Sequence, residues 1–191
     1  ITNPRDLPAF VKELGRWKWS VMTGVNTLFN GLMNTPGFEQ LDFSTTKVVV
    51  GAGAAVQKPV AERWQQMTGG FITEAYGLTE TSPGACANPL GTPWNGSIGL
   101  PFPSTEVSIR DDSFNELPPW TGDGELEKHT GELCIRGPQL MQGYWNNPAE
   151  TAKVMQDGWL KSGDVGYVNA EGYFTITDRK KDMILVSGFN V

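Results

Sequence analysis

The sequence is poor in the side chains that most often do chemistry. Its 191 residues include two cysteines, Cys86 and Cys134, and one histidine, His129. No zinc-ligand spacing and no cysteine–histidine nucleophile can be assembled from that set. The cysteines read as small buried or surface residues of a reducing compartment, with a single disulfide left open. Long apolar runs are also missing. The greasiest stretch, VVVGAGAAV from Val48, falls far short of the ~20 residues that span a bilayer. Lysine and arginine number 15 against 21 acidic residues, and no dense basic stripe occurs, which argues against a nucleic-acid footprint. No secretory leader is visible, and the chain opens on Ile1, as an excised internal piece would.

What remains is an ordinary globular composition, 39% hydrophobic and 19% charged, enough for one large domain or two small ones. Asn3-Pro4 reads as a helix start, and Leu7, Phe10, Val11 and Leu14 continue at helical spacing. A strand over Trp19–Val25, a helix over Asn26–Met33 and a turn at Asn34–Gly37 follow. A strand at Lys47–Val50, a helix at Gln57–Met67 and a short strand at Phe71–Thr73 then describe a βαβ layer. Pro83–Pro103 is rich in turn residues. Beyond it come short strands at Glu106–Arg110, Gly131–Arg136, Tyr173–Thr177 and Met183–Val186. One helix, Pro148–Met155, and a polar loop, Leu117–Thr130, interrupt them. The expected fold is therefore α/β: a βαβ layer followed by a small antiparallel β-barrel or sandwich. Domain boundaries are expected at 1–96, 97–178 and 179–191. Trp145 and Trp159 are expected to pin the Pro148 helix to the barrel.

Three stretches could carry chemistry. TEAYGLTETSP, Thr73–Pro83, places an aromatic, a glycine, hydroxyls and a carboxylate side by side. Tyr76 offers a flat face to a base, Gly77 a close backbone approach, Thr79 a donor to phosphate, and Glu80 a hard oxygen ligand for magnesium. A polar turn after a buried strand has the same composition. Gly51-Ala52-Gly53 between strand and helix, with Glu74 about 20 residues on, partly matches a dinucleotide fingerprint. Val56 stands at the third glycine position, where its bulk should resist close helix–strand packing, and no further βαβ units follow. Asp164, in LKSGDVGY, reads either as a turn residue bonding its own backbone or as a fork for the two hydroxyls of a ribose. Arg179-Lys180-Lys181-Asp182 reads by composition as a solvated hairpin turn.

YGLTETSP resembles the signature loop of the adenylate-forming enzymes, the family of acyl-CoA ligases, luciferases and peptide-synthetase adenylation domains. GWLKSGDVGYVNAEGYFTITDRKKD resembles the extended signature of the long-chain fatty acid–CoA ligases. The resemblance covers essentially the whole chain and implies an internal fragment of a longer enzyme. It implies that ATP, Mg2+ and coenzyme A are used with a long-chain fatty acid, without nucleic acid. The setting implied is cytoplasmic, with peripheral membrane contact suggested by the greasy substrate.

Residue by residue, the resemblance implies that Thr79 and Glu80 are catalytic, Thr79 orienting the α-phosphate and Glu80 holding magnesium. Ala75, Tyr76 and Gly77 would face the nucleotide, and Gly53, Ala54 and Ala55 would form the turn lining adenine and the acyl pocket. Val25, Gly51 and Gly77 are candidates for that pocket's border. Asp164 would fix the ribose, Arg179 would approach ribose or phosphates, and Lys181 would be the hinge pivot near AMP. Ser187 and Gly188 would face the CoA pantetheine, and Asn190 the nucleotide. The loop of Tyr76 and Glu80 would thus converge with Asp164 on opposite ends of one AMP. Two departures stand out: Ala52 and Ala55 replace a common glycine and proline, and Lys161-Ser162 replaces a usual His-Thr. The family's phosphate loop and C-terminal lysine are absent from these residues, so the fragment alone is expected to be inactive. An acyl-AMP ligase, a ligase for shorter or aromatic acids, and a non-catalytic nucleotide-binding module are the alternatives.

Overall fold

A computed structural model describes residues 3 and 5–180, and the backbone of 185–186 and 189–190. The chain divides into two compact units. Over the continuous described residues, one holds the chain up to Glu74 together with Pro89–Gly96, and the other holds Ala75–Asn88 and the chain from Ser97 to Lys180.

In the first unit, helix α1 (Leu7–Leu14) begins later than Asn3-Pro4 suggests. Its cap is Asp6, whose carboxylate accepts from the Ala9 N–H at 3.1 Å, and Pro8 occupies the first turn, where a missing N–H costs nothing. Strand β1 (Val21–Gly24), helix α2 (Asn26–Met33), strand β2 (Val48–Gly51) and helix α3 (Lys58–Thr68) follow, then strand β3 (Ile72–Tyr76). β1, β2 and the start of β3 run parallel, pairing Val21 with Val48 and Val49 with Ile72. Their core is aromatic: Phe29 and Trp64 meet edge-on at 5.1 Å and Phe38 lies 5.5 Å from Trp64, all three fully buried.

Val56 does not loosen the strand-to-helix turn. A side chain on Gly51 would come within 2.4 Å of the Val56 methyl and 2.8 Å of Ile72, so the glycine makes the room that the valine fills. Val56 is buried, and its peptide is gripped from both sides: its N–H donates to Glu74 Oε1 at 3.1 Å and its carbonyl accepts from the Trp94 indole at 2.7 Å.

In the second unit, the end of β3 pairs antiparallel with β4 (Cys86–Ala87), and β4 with β5 (Leu100–Pro101). A four-stranded antiparallel sheet then joins β6 (Glu106–Arg110), β7 (Gly131–Arg136), β9 (Trp159–Val168) and β10 (Phe174–Arg179) in the order β10-β9-β7-β6, with β8 (Met155–Gln156) pairing β9. Helix α4 (Pro148–Val154) precedes β8 and is capped by Asn147. The antiparallel second half is as expected, and the mixed α/β class holds. The length of β9 is the surprise: Ser162-Gly163-Asp164, expected as a turn, lies inside a ten-residue strand.

Trp145 is 91% exposed, contrary to the anchoring role expected of it. Trp159 is buried, with the Arg110 and Arg136 guanidiniums 4.5 and 4.6 Å from its ring. Cys86 and Cys134 are both free and buried, and burial pushes each thiol up to about 12. No helix among the described residues is long and apolar enough to cross a membrane.

Candidate functional site

Asp164 owes its position to an irregularity. β7 and β9 pair in one register at Glu132–Val165 and in another at Cys134–Lys161. The residues Ser162-Gly163-Asp164 therefore face a single residue of β7, and Gly163 takes the positive φ of 79° that such a bulge needs. Glu132 fixes the bulge, its Oε1 accepting from the Gly163 N–H at 2.9 Å and its Oε2 lying 3.1 Å from the Lys180 ammonium. Lys180 also meets Asp112 at 2.7 Å. The basic run expected as a solvated turn is thus, at Lys180, an ion-paired brace.

The bulge turns Asp164 inward, where only 2% of it is exposed. Both carboxylate oxygens are engaged: Oδ2 accepts from the Tyr76 hydroxyl at 2.6 Å, and Oδ1 lies 2.7 Å from Arg179 Nε. Arg179 is the register partner of Asp164 on β10. Tyr76 is itself 9% exposed, its ring packed with Ala85, Cys86 and Ile98. Burial, then the Asp164 charge, raises the phenol far above its ordinary range, so it stays a donor. Tyr76 and Asp164 are therefore direct neighbours, joined by a hydrogen bond.

Past Tyr76 the chain makes a tight loop. A side chain on Gly77 would sit 1.7 Å from the Pro83 carbonyl oxygen, so the space at this glycine is taken by the loop's own backbone. Thr79, Glu80 and Thr81 form one 3-10 turn. Thr81, singled out by nothing in the sequence, is fully buried and ties the loop together: its Oγ1 accepts from the Leu78 N–H at 2.8 Å and lies 3.0 and 2.8 Å from the carbonyls of Leu78 and Pro83. Thr79 is exposed and Glu80 half-buried. Glu80 Oε1 accepts from the Tyr144 hydroxyl at 2.7 Å, a bond that pushes the phenol up to about 12, and the Glu80 carbonyl accepts from the Met141 N–H at 2.8 Å. Tyr144 was also invisible to sequence reasoning, which had no local signal for a partner 64 positions away.

Gly53, Ala54 and Ala55 lie in the first unit, in the turn between β2 and α3, with Gly53 at a φ of 79° and 3.6 Å between its Cβ position and Val25. Glu74, the acid of the dinucleotide reading, is spent on the Val56 N–H, and burial raises its carboxyl to about 7. Lys181, Ser187 and Gly188 lie outside the described residues, and Asn190 is described only as backbone in a two-residue strand, Phe189–Asn190. Among the described residues no three metal-ligating side chains gather in one place. A cation at Glu80 would thus find fewer than three protein ligands of these types among the described residues and would draw the rest of its shell from elsewhere.

Residues 1–145 match the model of the AMP-binding enzymes, and the chain belongs to that family. It is 54% identical over its whole length to a long-chain-fatty-acid–CoA ligase of Yersinia pestis, and spans about a third of that protein. Among solved structures it superposes on an amide bond synthetase from Marinactinospora thermotolerans with a TM-score of 0.84 at 30% identity, covering 99% of this chain and 37% of the other. An anthranilate CoA ligase in complex with anthranoyl-AMP gives a TM-score of 0.83 at 26% identity, with 99% and 35% covered.

Proposed function

We propose that this chain is part of a longer ATP-dependent fatty acid–CoA ligase. The reaction would run in two steps. A carboxylate oxygen of the acid attacks the α-phosphorus of ATP and pyrophosphate leaves, giving the acyl-adenylate. The CoA sulfur then attacks the acyl carbonyl, its proton is lost, and AMP leaves. Catalysis of this kind rests on positioning and charge neutralisation more than on a protein nucleophile. That suits a chain whose two thiols are both buried.

The observation that carries the reading is the Tyr76–Asp164–Arg179 cluster. A carboxylate has about four lone-pair directions; Tyr76 and Arg179 take two here, and ribose hydroxyls would reach the others once the partly exposed Arg179 side chain gives way. Tyr76 and Arg179 would fix its orientation beforehand. Arg179 meets Asp164 through Nε with about a third of its side chain exposed (35%), and the guanidinium would turn toward ribose or phosphate oxygens. The exposed Thr79 hydroxyl would donate to the α-phosphate. Magnesium, held through Glu80, would neutralise charge on the phosphates. The long-chain-fatty-acid–CoA ligase relative supports a long acyl chain, and the anthranoyl-AMP in the solved relative supports an adenylate intermediate.

The test is fatty-acid-dependent exchange of labelled pyrophosphate into ATP by the full-length protein, followed by CoA-dependent release of AMP. Asp164→Ala should lower the exchange on the order of a hundredfold, as loss of a preorganised contact does. Exchange that ignores the fatty acid, or survives Asp164→Ala unchanged, would sink the reading. Comparing short, aromatic and long acids in the same assay decides between the ligase classes.

A further inference from the structure

We infer that Tyr144 is a positioning residue for Glu80, setting the carboxylate so that one oxygen is held and the other is presented to the cation. The inference rests on the reading of Glu80 as the magnesium ligand given above. Glu80 Oε1 accepts from the Tyr144 hydroxyl at 2.7 Å, whereas Oε2 has no partner among the described residues. A glutamate free to rotate loses its side-chain entropy when it takes up an ion. One already tethered by a neutral donor has lost much of it beforehand. Ligating carboxylates are commonly hydrogen-bonded from behind in this way.

The tether is itself braced. The Tyr144 N–H donates to Thr151 Oγ1 at 2.9 Å, and that hydroxyl donates to the Asn147 carbonyl at 3.0 Å. Asn147 caps α4, accepting from the Glu150 N–H at 3.3 Å. The segment leading to Tyr144 is stitched to the Gly77–Ala85 loop at two further points. Gln139 Nε2 donates to the Gly84 carbonyl at 3.2 Å, and the Met141 N–H to the Glu80 carbonyl at 2.8 Å. A side chain on Gly143 would come within 3.0 Å of Thr151, which keeps the bracket tight. Tyr144 is therefore delivered to Glu80 by a fixed frame, although the residue is 38% exposed.

The experiment is a magnesium titration of ATP binding, followed calorimetrically on the full-length protein without fatty acid, so that no turnover occurs. Tyr144→Phe removes the hydroxyl and keeps the ring. The magnesium concentration for half-maximal ATP binding should rise about threefold to tenfold. The KM for the fatty acid and the melting temperature should keep their wild-type values. Thr151→Val, which loosens Tyr144 without touching Glu80, should shift the titration in the same direction by less. Glu80→Gln should abolish the magnesium dependence. If Glu80→Gln abolishes it while Tyr144→Phe and Thr151→Val titrate like wild type, the positioning role is overturned and the Glu80 reading stands. A Tyr144→Phe protein that melts lower with an unshifted titration also overturns it, leaving a structural tie alone. If Glu80→Gln titrates like wild type, the metal reading itself fails.

Discussion

The Tyr76 hydroxyl and the Asp164 carboxylate, 88 positions apart in the chain, meet at 2.6 Å in a buried setting. Arg179 closes the other side of the same carboxylate at 2.7 Å. Removing the phenolic hydroxyl leaves a buried charged oxygen short of a donor, which typically costs about 1–3 kcal/mol. Tyr76→Phe should therefore lower the urea midpoint, and the loss should shrink when Asp164 is already asparagine. A double-mutant cycle measures this directly; additive losses would mean that the contact carries no coupling.

Glu74 gives a pH signature of its own. Burial raises its carboxyl from 4.5 to about 7, so the folded chain holds a proton that the unfolded chain releases at lower pH. Its contribution is fully present below pH 4.5 and is lost as pH rises through about 7. Glu74→Gln keeps an acceptor for the Val56 N–H without the charge. The variant should be more stable than the parent at pH 8 by roughly 1–3 kcal/mol, the gap closing toward pH 4. Chemical denaturation across that range is the measurement, and a gap that does not change with pH counts against the assignment.

Gly77 should tolerate no side chain. With 1.7 Å between the Cβ position and the Pro83 oxygen, Gly77→Ala must push the loop open. Exchange of pyrophosphate into ATP by the full-length protein should fall by about a hundredfold or more, since Thr79 and Glu80 ride on that loop. Activity within a factor of a few of the parent would show that the loop has slack.

The two cysteines should be silent. Each thiol is buried and pushed up to about 12, so neither offers an appreciable thiolate near neutral pH. No labelling of Cys86 or Cys134 by a thiol-reactive dye in the native protein at pH 8, and full labelling of both on unfolding in denaturant, read by peptide mapping, is the expected result. Rapid labelling of either cysteine in the native protein contradicts the burial.

Local patterns made much of the fold legible. Asn26–Met33, Glu106–Arg110 and Gly131–Arg136 form the elements their periodicity suggests, because each buries one face against near neighbours. Ser162–Asp164 misled because Ser-Gly-Asp is turn chemistry, and here a strand uses that chemistry for a bulge. The residues with candidate roles in YGLTETSP could be named from composition and resemblance. Their partners could not: Tyr144 for Glu80 and Arg179 for Asp164 are fixed by strand register and loop packing, which leave no trace in local sequence. Thr81 was hidden for the opposite reason, since a buried hydroxyl and an exposed one spell the same letter.

The bulge at Ser162–Asp164 has a consequence for when the molecule becomes able to hold anything. Asp164 draws its partners from a tyrosine far upstream and an arginine on the following strand, so the cluster is a long-range closure and forms late on any folding route. During synthesis the Tyr76 phenol must wait until its acceptor, 88 positions further along the chain, has been made. A ligand gripped by that carboxylate can therefore stabilise only the finished protein; it has nothing to bind in the intermediates that precede it.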